Sequence, residues 1–233
     1  MYFAIVSYAE YLPHPALQSY IDAYWTVRSS GEGKPYEHRV LPDCCTDIIF
    51  QQGESLLVGT MTTFKDTIQL PGSLAIGIRF KPGAISAFYT LNLNEVTNLA
   101  VPYQDKQLAE IIKRGKDLPG KLDHYFLNKL NIQHPPIASV MQDIYTYKGQ
   151  LSVADLISKH AMSERKLERL FKQHTGVSVK GMIKLVRFTN VLSAIRNKSA
   201  TNLTHIAYAA GYYDQAHLCN EIKSYTGLTP AQL

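Results

Sequence analysis

The chain has 233 residues, enough for two folded units, and its 45% hydrophobic and 18% charged residues exclude a disordered or low-complexity protein. No apolar run reaches the roughly 18 to 20 residues that span a bilayer. The net charge of +5 is unevenly spread: residues 1–135 carry 12 Lys and Arg against 13 Asp and Glu, whereas residues 136–233 carry 12 against 6. A basic C-terminal part on a near-neutral N-terminal one suits a polyanionic partner. Only three cysteines are present, two of them adjacent, which is no disulfide framework and fits a reducing cytoplasm. The opening Met1-Tyr2-Phe3-Ala4-Ile5-Val6 has no basic n-region, which argues against a signal peptide.

In chain order, Pro15 to Ile21 is spaced for a helix and Tyr24 to Val27 for a first strand. Val40-Leu41 precedes a Pro-Asp turn. Short strands follow at Asp47–Phe50, Leu56–Gly59, Thr67–Leu70 and Leu74–Phe80, each bounded by Gly or Pro. Such punctuation predicts a sandwich or small barrel. After Leu93 the period becomes helical, with helices over Lys106–Arg114 and Leu118–Leu130. Asn131 to Pro136, with adjacent prolines, reads as the linker. Helices are then predicted at 137–147, 152–159, 163–174, 178–196, 203–210 and 214–225, with a short turn near Pro230. Ser152, Ser163, Ser178 and Asp214 are placed as N-caps, with Asn202 or Thr201 before the fifth of these helices.

The last eighty residues contain one unit twice. Phe171-Lys172-Gln173-His174-Thr175-Gly176-Val177-Ser178 superimposes on Ile222-Lys223-Ser224-Tyr225-Thr226-Gly227-Leu228-Thr229 at an offset of 51 residues. Upstream, Leu156-Ile157 and Ala161 match Ile206-Ala207 and Gly211 at an offset of 50, so the extra residue falls in the turn. Each copy reads as a helix-turn-helix. In the first, Leu167, Leu170, Phe171 and His174 form an inward stripe, leaving Arg165, Lys166, Glu168, Arg169 and Lys172 outward. Arginine fits guanine edges and phosphates. In the second, Leu218, Ile222 and Tyr225 point inward; Gln215, His217 and Asn220 face out, with Ala216 and Cys219 small enough for close approach. Gln and Asn can pair with adenine, and Ala can touch a thymine methyl. Gly176 and Gly227 stand where a helix end takes a left-handed residue. Between the copies, Met182, Leu185, Val186, Thr189, Leu192 and Ile195 make the apolar face of a long helix spanning roughly 30 Å, comparable with one turn of B-DNA at about 34 Å.

These residues resemble the AraC/XylS family of bacterial transcription regulators. The likeness rests on Leu156-Ile157, Ser163-x-x-x-Leu167-x-Arg169-Leu170-Phe171-Lys172, Thr175-Gly176, Arg187, Ile206-Ala207-x-x-x-Gly211-Tyr212-x-Asp214-Gln215, then Lys223, Gly227 and Thr229-Pro230. It implies DNA contacts from Arg165, Glu168 and Arg169, and from Gln215, Ala216, His217 and Asn220. Asn220 stands where Arg is common, Ile222 replaces the usual Phe, and the chain stops at Leu233, before the usual Tyr-Arg ending, which suggests a clipped C-terminus. The segments Leu41–Phe50 and Gly77–Ala84 resemble a sensor domain of some such regulators. The predicted class is thus α+β: an N-terminal, mainly β, sensor-like effector or dimerisation domain with flanking helices over 1–131, then an all-α domain over 137–233 of two helix-turn-helix motifs joined by a long helix. The function implied is sequence-specific transcription regulation, without catalysis or cofactor, in the cytoplasm. Double-stranded DNA is the implied partner; a small-molecule effector, a second copy in a homodimer and RNA polymerase are further candidates, and no membrane is involved.

A competing chemistry starts from Cys44 and Cys45. Ada-type repair proteins, also linked to AraC-type domains, transfer alkyl groups to a zinc-bound cysteine, which needs four cysteine ligands. This chain has three, and Cys219 lies on the second recognition helix. A site from His38, Cys44, Cys45 and Asp47 would ask adjacent cysteines to reach one tetrahedral metal, so metal binding is disfavoured and buried thiols in a strand are expected. Arg79 and Lys81 could take an anionic effector or serve in salt bridges. A partner-binding protein with a degenerate basic domain is the third class.

Overall fold

The computed structural model describes residues 6–31, 33–115, 117–131, 137–197 and 202–233. The fold is α+β, with a β-rich N-terminal region followed by a helical C-terminal domain. Eight strands occur among the described residues: β1 (Val6–Tyr11), β2 (Ile21–Ser29), β3 (Tyr36–Val40), β4 (Thr46–Gln51), β5 (Glu54–Val58), β6 (Lys65–Gln69), β7 (Leu74–Phe80) and β8 (Ala100–Pro102). Six form an antiparallel sheet in the order β1-β2-β7-β4-β5-β8, and β3 pairs with β6 apart from it. The predicted helix at Pro15–Ile21 shrinks to a 3-10 turn over Pro15–Leu17, because Ile21 already pairs with Phe80 as the start of β2. The β1 strand precedes every strand the sequence pattern suggested, and β8 follows them.

Alternation divides the sheet into two faces. Ile48 and Phe50 of β4, Ile76, Ile78 and Phe80 of β7, and Ile21 and Tyr24 of β2 are buried in one cluster. Helices α1 (Lys106–Arg114) and α2 (Leu118–Lys129) cover this face through Leu108, Leu122, Tyr125 and Phe126. Asp105 caps α1 by accepting from the Leu108 amide at 3.0 Å, and Gly115 ends it in the left-handed region at φ 61. The other face carries Trp25, Asp47 and Arg79. Gly77 is obligatory there, since a Cβ would lie 2.0 Å from the Trp25 ring.

Among the described residues, six helices build the C-terminal domain: α3 (Ala138–Thr146), α4 (Val153–His160), α5 (Glu164–Thr175), α6 (Val179–Arg196), α7 (Leu203–Ala209) and α8 (Gln215–Thr226). Most of the inferred linker, residues 132–136, lies outside the described residues, as does Thr201, the alternative cap of α7; Asn202 fills that role. The remaining caps match the pattern. Ser152, Ser163, Ser178 and Asp214 each accept from an amide three residues on. The long helix α6 is buried more widely than one stripe: Ile183, Phe188 and Val191 join Met182, Leu185, Val186 and Leu192 inside, while Thr189 and Ile195 are only half-buried. It needs this because it serves two cores. One lies around α3 to α6, with Leu156, Leu167 and Phe171; the other lies around α7 and α8, with Ile206, Leu218 and Ile222.

The N-terminal region is joined to the first of these cores. Leu41 and Cys44, in the loop before β4, pack with Ile137, Met141 and Phe188. The cysteines therefore occupy a turn rather than a strand, with Cys44 in the left-handed region at φ 69. On the far side, the polar sheet face and α3 enclose a cleft of about 960 Å³.

Candidate nucleic-acid interface

The two candidate recognition helices, α5 and α8, are built alike. Each starts at a polar cap, buries a leucine and a second large apolar residue (Leu167 and Phe171, Leu218 and Ile222), and ends at a left-handed glycine (φ 80 at Gly176, φ 70 at Gly227). Each also ends in a buried threonine whose hydroxyl donates to the carbonyl four residues back: Thr175 to Phe171 at 2.7 Å and Thr226 to Ile222 at 2.8 Å. The same hydroxyls accept from Val177 and Leu228, closing each helix end identically.

On α5, Arg165, Lys166, Arg169 and Lys172 are exposed and Glu168 is half-exposed. The inward stripe is narrower than expected: Leu167 and Phe171 are fully buried, Leu170 and His174 only partly. Burial holds the His174 imidazole below its ordinary range, and its Nδ1 has no hydrogen-bond partner among the described residues. On α8, Gln215, Ala216, His217 and Asn220 are all exposed. The Thr204 hydroxyl donates to Gln215 Oε1 at 2.7 Å, so adenine would meet an oxygen with one lone pair already engaged. The His217 ring packs edge-on to Tyr212 with centroids 5.2 Å apart.

Glu221 is the acidic residue beside Asn220 whose charge would oppose a phosphate. It turns inward. Its carboxylate meets Arg187 Nη2 at 3.1 Å and accepts from the Tyr212 hydroxyl at 2.7 Å. The exposed face of α8 therefore carries no carboxylate at that position. Sequence reasoning did not place this pair, nor Tyr213, which is 86% exposed in the turn before α8, nor Tyr208, 62% exposed on α7. An exposed tyrosine in a helix-turn-helix turn was a usable signal.

A helix-turn-helix domain model matches residues 156–233, the stretch that holds both units. The chain is 27% identical over 124 residues to the HTH-type transcriptional activator RhaR of Yersinia pseudotuberculosis serotype O:1b (strain IP 31758), covering 53% of this chain and 41% of that protein. It is 26% identical over 106 residues to the HTH-type transcriptional regulator GlxA of Rhizobium meliloti (strain 1021), covering 45% and 32%.

Residues 156–233 carry a helix-turn-helix domain, and the chain is similar to these two regulators over about half its length.

The matches span less than half the length of these curated relatives. Residues 9–102 match a domain of unknown function, DUF6597. Among solved structures, ToxT of Vibrio cholerae aligns over 98% of this chain and 97% of its own at 9% identity, with a TM-score of 0.47.

The two N-terminal motifs meet on the polar sheet face. Asp47 stands opposite Arg79 across β4 and β7. Arg79 also faces Glu10 at 2.8 Å, Asp43 at 3.4 Å, and Asp22 and Asp47 at 3.9 Å. Of the two roles left open for Arg79, anion capture or salt bridging, the geometry is that of salt bridging. Trp25 Nε1 donates to Asp47 at 2.7 Å. Burial, then the negative charge of Asp43, pushes the Asp47 carboxyl up to about 7. The same two causes push the Cys44 and Cys45 thiols upward. That is the reverse of what a nucleophilic thiolate needs. His38 is engaged with Thr67, and among the described residues no three His, Cys, Asp or Glu side chains converge as metal ligands.

Proposed function

We propose that the chain is a sequence-specific, double-stranded-DNA-binding transcription regulator, without catalytic activity, that reads two successive major grooves with α5 and α8. The observation that carries the reading is the duplicated unit with both polar faces exposed: Arg165 and Arg169 on one, Gln215 and Asn220 on the other. The 18 residues of α6 give about 27 Å between the units, close to the ~34 Å turn of B-DNA. Lys166, Glu168 and Lys172 flank the first reading face, and Ala216 and His217 complete the second. The names of RhaR and GlxA, a transcriptional activator and a transcriptional regulator, support the same role.

The effector-responsive part of this reading is placed in the cleft between the polar sheet face and α3. It is lined by Asp22, Asp43, Cys45 and Arg79 on one side and by Met141 and Tyr145 on the other. A ligand there touches both the β-rich region and the helical domain.

Selection of duplexes from a random-sequence pool by the full-length protein tests the proposal. The expected product is a pair of half-sites about one helical turn apart, with protection of both in a footprint. Recovery of unselected sequence, or binding that Arg169→Ala and Asn220→Ala both leave unchanged, would remove α5 and α8 from the role.

A further inference from the structure

The N-terminal region contacts both α5 and α8 at their C-terminal ends. At the end of α5, the Thr97 hydroxyl donates to the Gly176 carbonyl at 2.8 Å. The approach is close enough that a Cβ on Gly176 would lie 2.3 Å from Thr97 Oγ1 and 2.6 Å from the Leu93 carbonyl oxygen. At the end of α8, Arg39 Nη1 donates to the Thr226 carbonyl at 3.0 Å, and the Thr63 hydroxyl donates to the Ser224 carbonyl at 3.4 Å. A Cβ on Gly227 would lie 2.7 Å from the Phe64 ring. These two glycines are equivalent residues of the duplicated unit. Each marks a helix C-terminus, where unsatisfied carbonyls carry partial negative charge and call for donors and cations.

The grip on α8 is built to hold its shape. Arg39 lies on β3 directly across from Asp66 on β6. Its Nε and Nη2 donate to the two Asp66 oxygens at 2.7 and 2.8 Å, and its guanidinium sits 4.0 Å over the Phe64 ring. A bidentate pair fixes the plane of the guanidinium and leaves Nη1 directed at the helix end. Thr97 follows a 3-10 turn at Leu93–Glu95 whose first residue, Leu93, and following residue, Val96, are anchored in the N-terminal core. One region of the chain thus reaches two helices that belong to two separate cores.

We propose that Arg39 and Thr97 are positioning residues for DNA reading: they fix α8 relative to α5 and so set the half-site spacing that the protein accepts. The proposal rests on the reading of α5 and α8 as DNA-binding helices. Neither residue touches DNA. Their effect is on the geometry between two readers, so they govern spacing and leave the preference within each half-site alone.

The test uses full-length protein and the duplex that the wild type selects from a random pool, remade with one or two base pairs added or removed between the halves. Each step turns the second half-site by about 34° and moves it about 3.4 Å. The wild type is expected to lose roughly tenfold or more in affinity per step, within the range of ordinary site defects. Arg39→Ala and Thr97→Val are expected to flatten that dependence to under about threefold, a coupling within the usual range. Affinity for a single half-site should stay at the wild-type level. Thr97→Val keeps the shape of the side chain and removes one hydrogen bond, so it carries the test if Arg39→Ala fails to fold. A spacing profile identical to the wild type overturns the proposal. So does an equal loss on every duplex including the single half-site, which is what mere destabilisation gives. If the wild type selects no sequence, the DNA-binding reading falls first and takes this one with it; a normal selection with unchanged variants rejects the positioning role alone.

Discussion

Arg187 and Glu221 form a buried ion pair that joins the long helix α6 to α8, Nη2 to Oε2 at 3.1 Å. The Tyr212 hydroxyl donates to the same carboxylate, and the guanidinium lies 4.3 Å over the Tyr212 ring. Arg187 is 15% and Glu221 8% exposed, so solvent screens the pair little.

Removing one partner strands the other inside. Glu221→Ala is expected to cost about 3–5 kcal/mol, whereas Arg187→Met with Glu221→Met should recover most of that loss. Denaturant titration of the three proteins decides it. A single variant as stable as the wild type would mean that water reaches the pair in solution.

Leu218 is fully buried in the small core of α7 and α8. Truncation to Ala should cost about 2–5 kcal/mol, the range for a buried leucine. Because this core also contains Val191 of α6, a thermal melt should show the loss in the helical domain as a whole. An unchanged melting temperature would put Leu218 outside the core.

Arg169 is exposed on α5, one turn after Arg165. If it reads a base edge, Arg169→Ala weakens specific binding by about 1–3 kcal/mol and relaxes preference at one position of the half-site. A uniform loss across all sequences, with a shallower salt dependence, would instead make it a phosphate contact.

Asp47 supplies a pH signature. Its carboxyl stands at about 7, raised by burial and by Asp43 against the lowering influence of Arg79 and Trp25. A carboxyl with a folded pKa above its unfolded value of about 3.9 binds its proton more tightly in the folded state. The resulting stability is fully present below about pH 4 and is lost as pH rises toward 7. Asp47→Asn, which keeps an acceptor for Trp25, should therefore gain stability relative to the wild type across that window. Denaturation midpoints of both proteins at pH 4.5, about 6 and about 7.5 measure the difference; a difference that does not change with pH means Asp47 titrates normally.

The helical domain was legible in the sequence because its determinants are local. Ser163, Ser178 and Asp214 cap helices through amides three residues away, and the leucine stripes follow a 3.6-residue period. The repeat in turn exposed which positions of α5 and α8 are equivalent, and hence which polar faces to compare. The strands β4, β5, β6 and β7 were readable from alternation and from turns, but their order was not, since pairing depends on residues far apart. Only the fold brought Asp47 opposite Arg79, buried Cys44 of a β-region loop in a helical core, and turned Glu221 away from the exposed face of α8 toward Arg187. The grip of Arg39 on the Thr226 carbonyl joins positions 187 residues apart, and that of Thr97 on Gly176 joins positions 79 apart. No periodicity or cap encodes such contacts. They arise when whole faces pack and leave helix-end carbonyls in need of a donor.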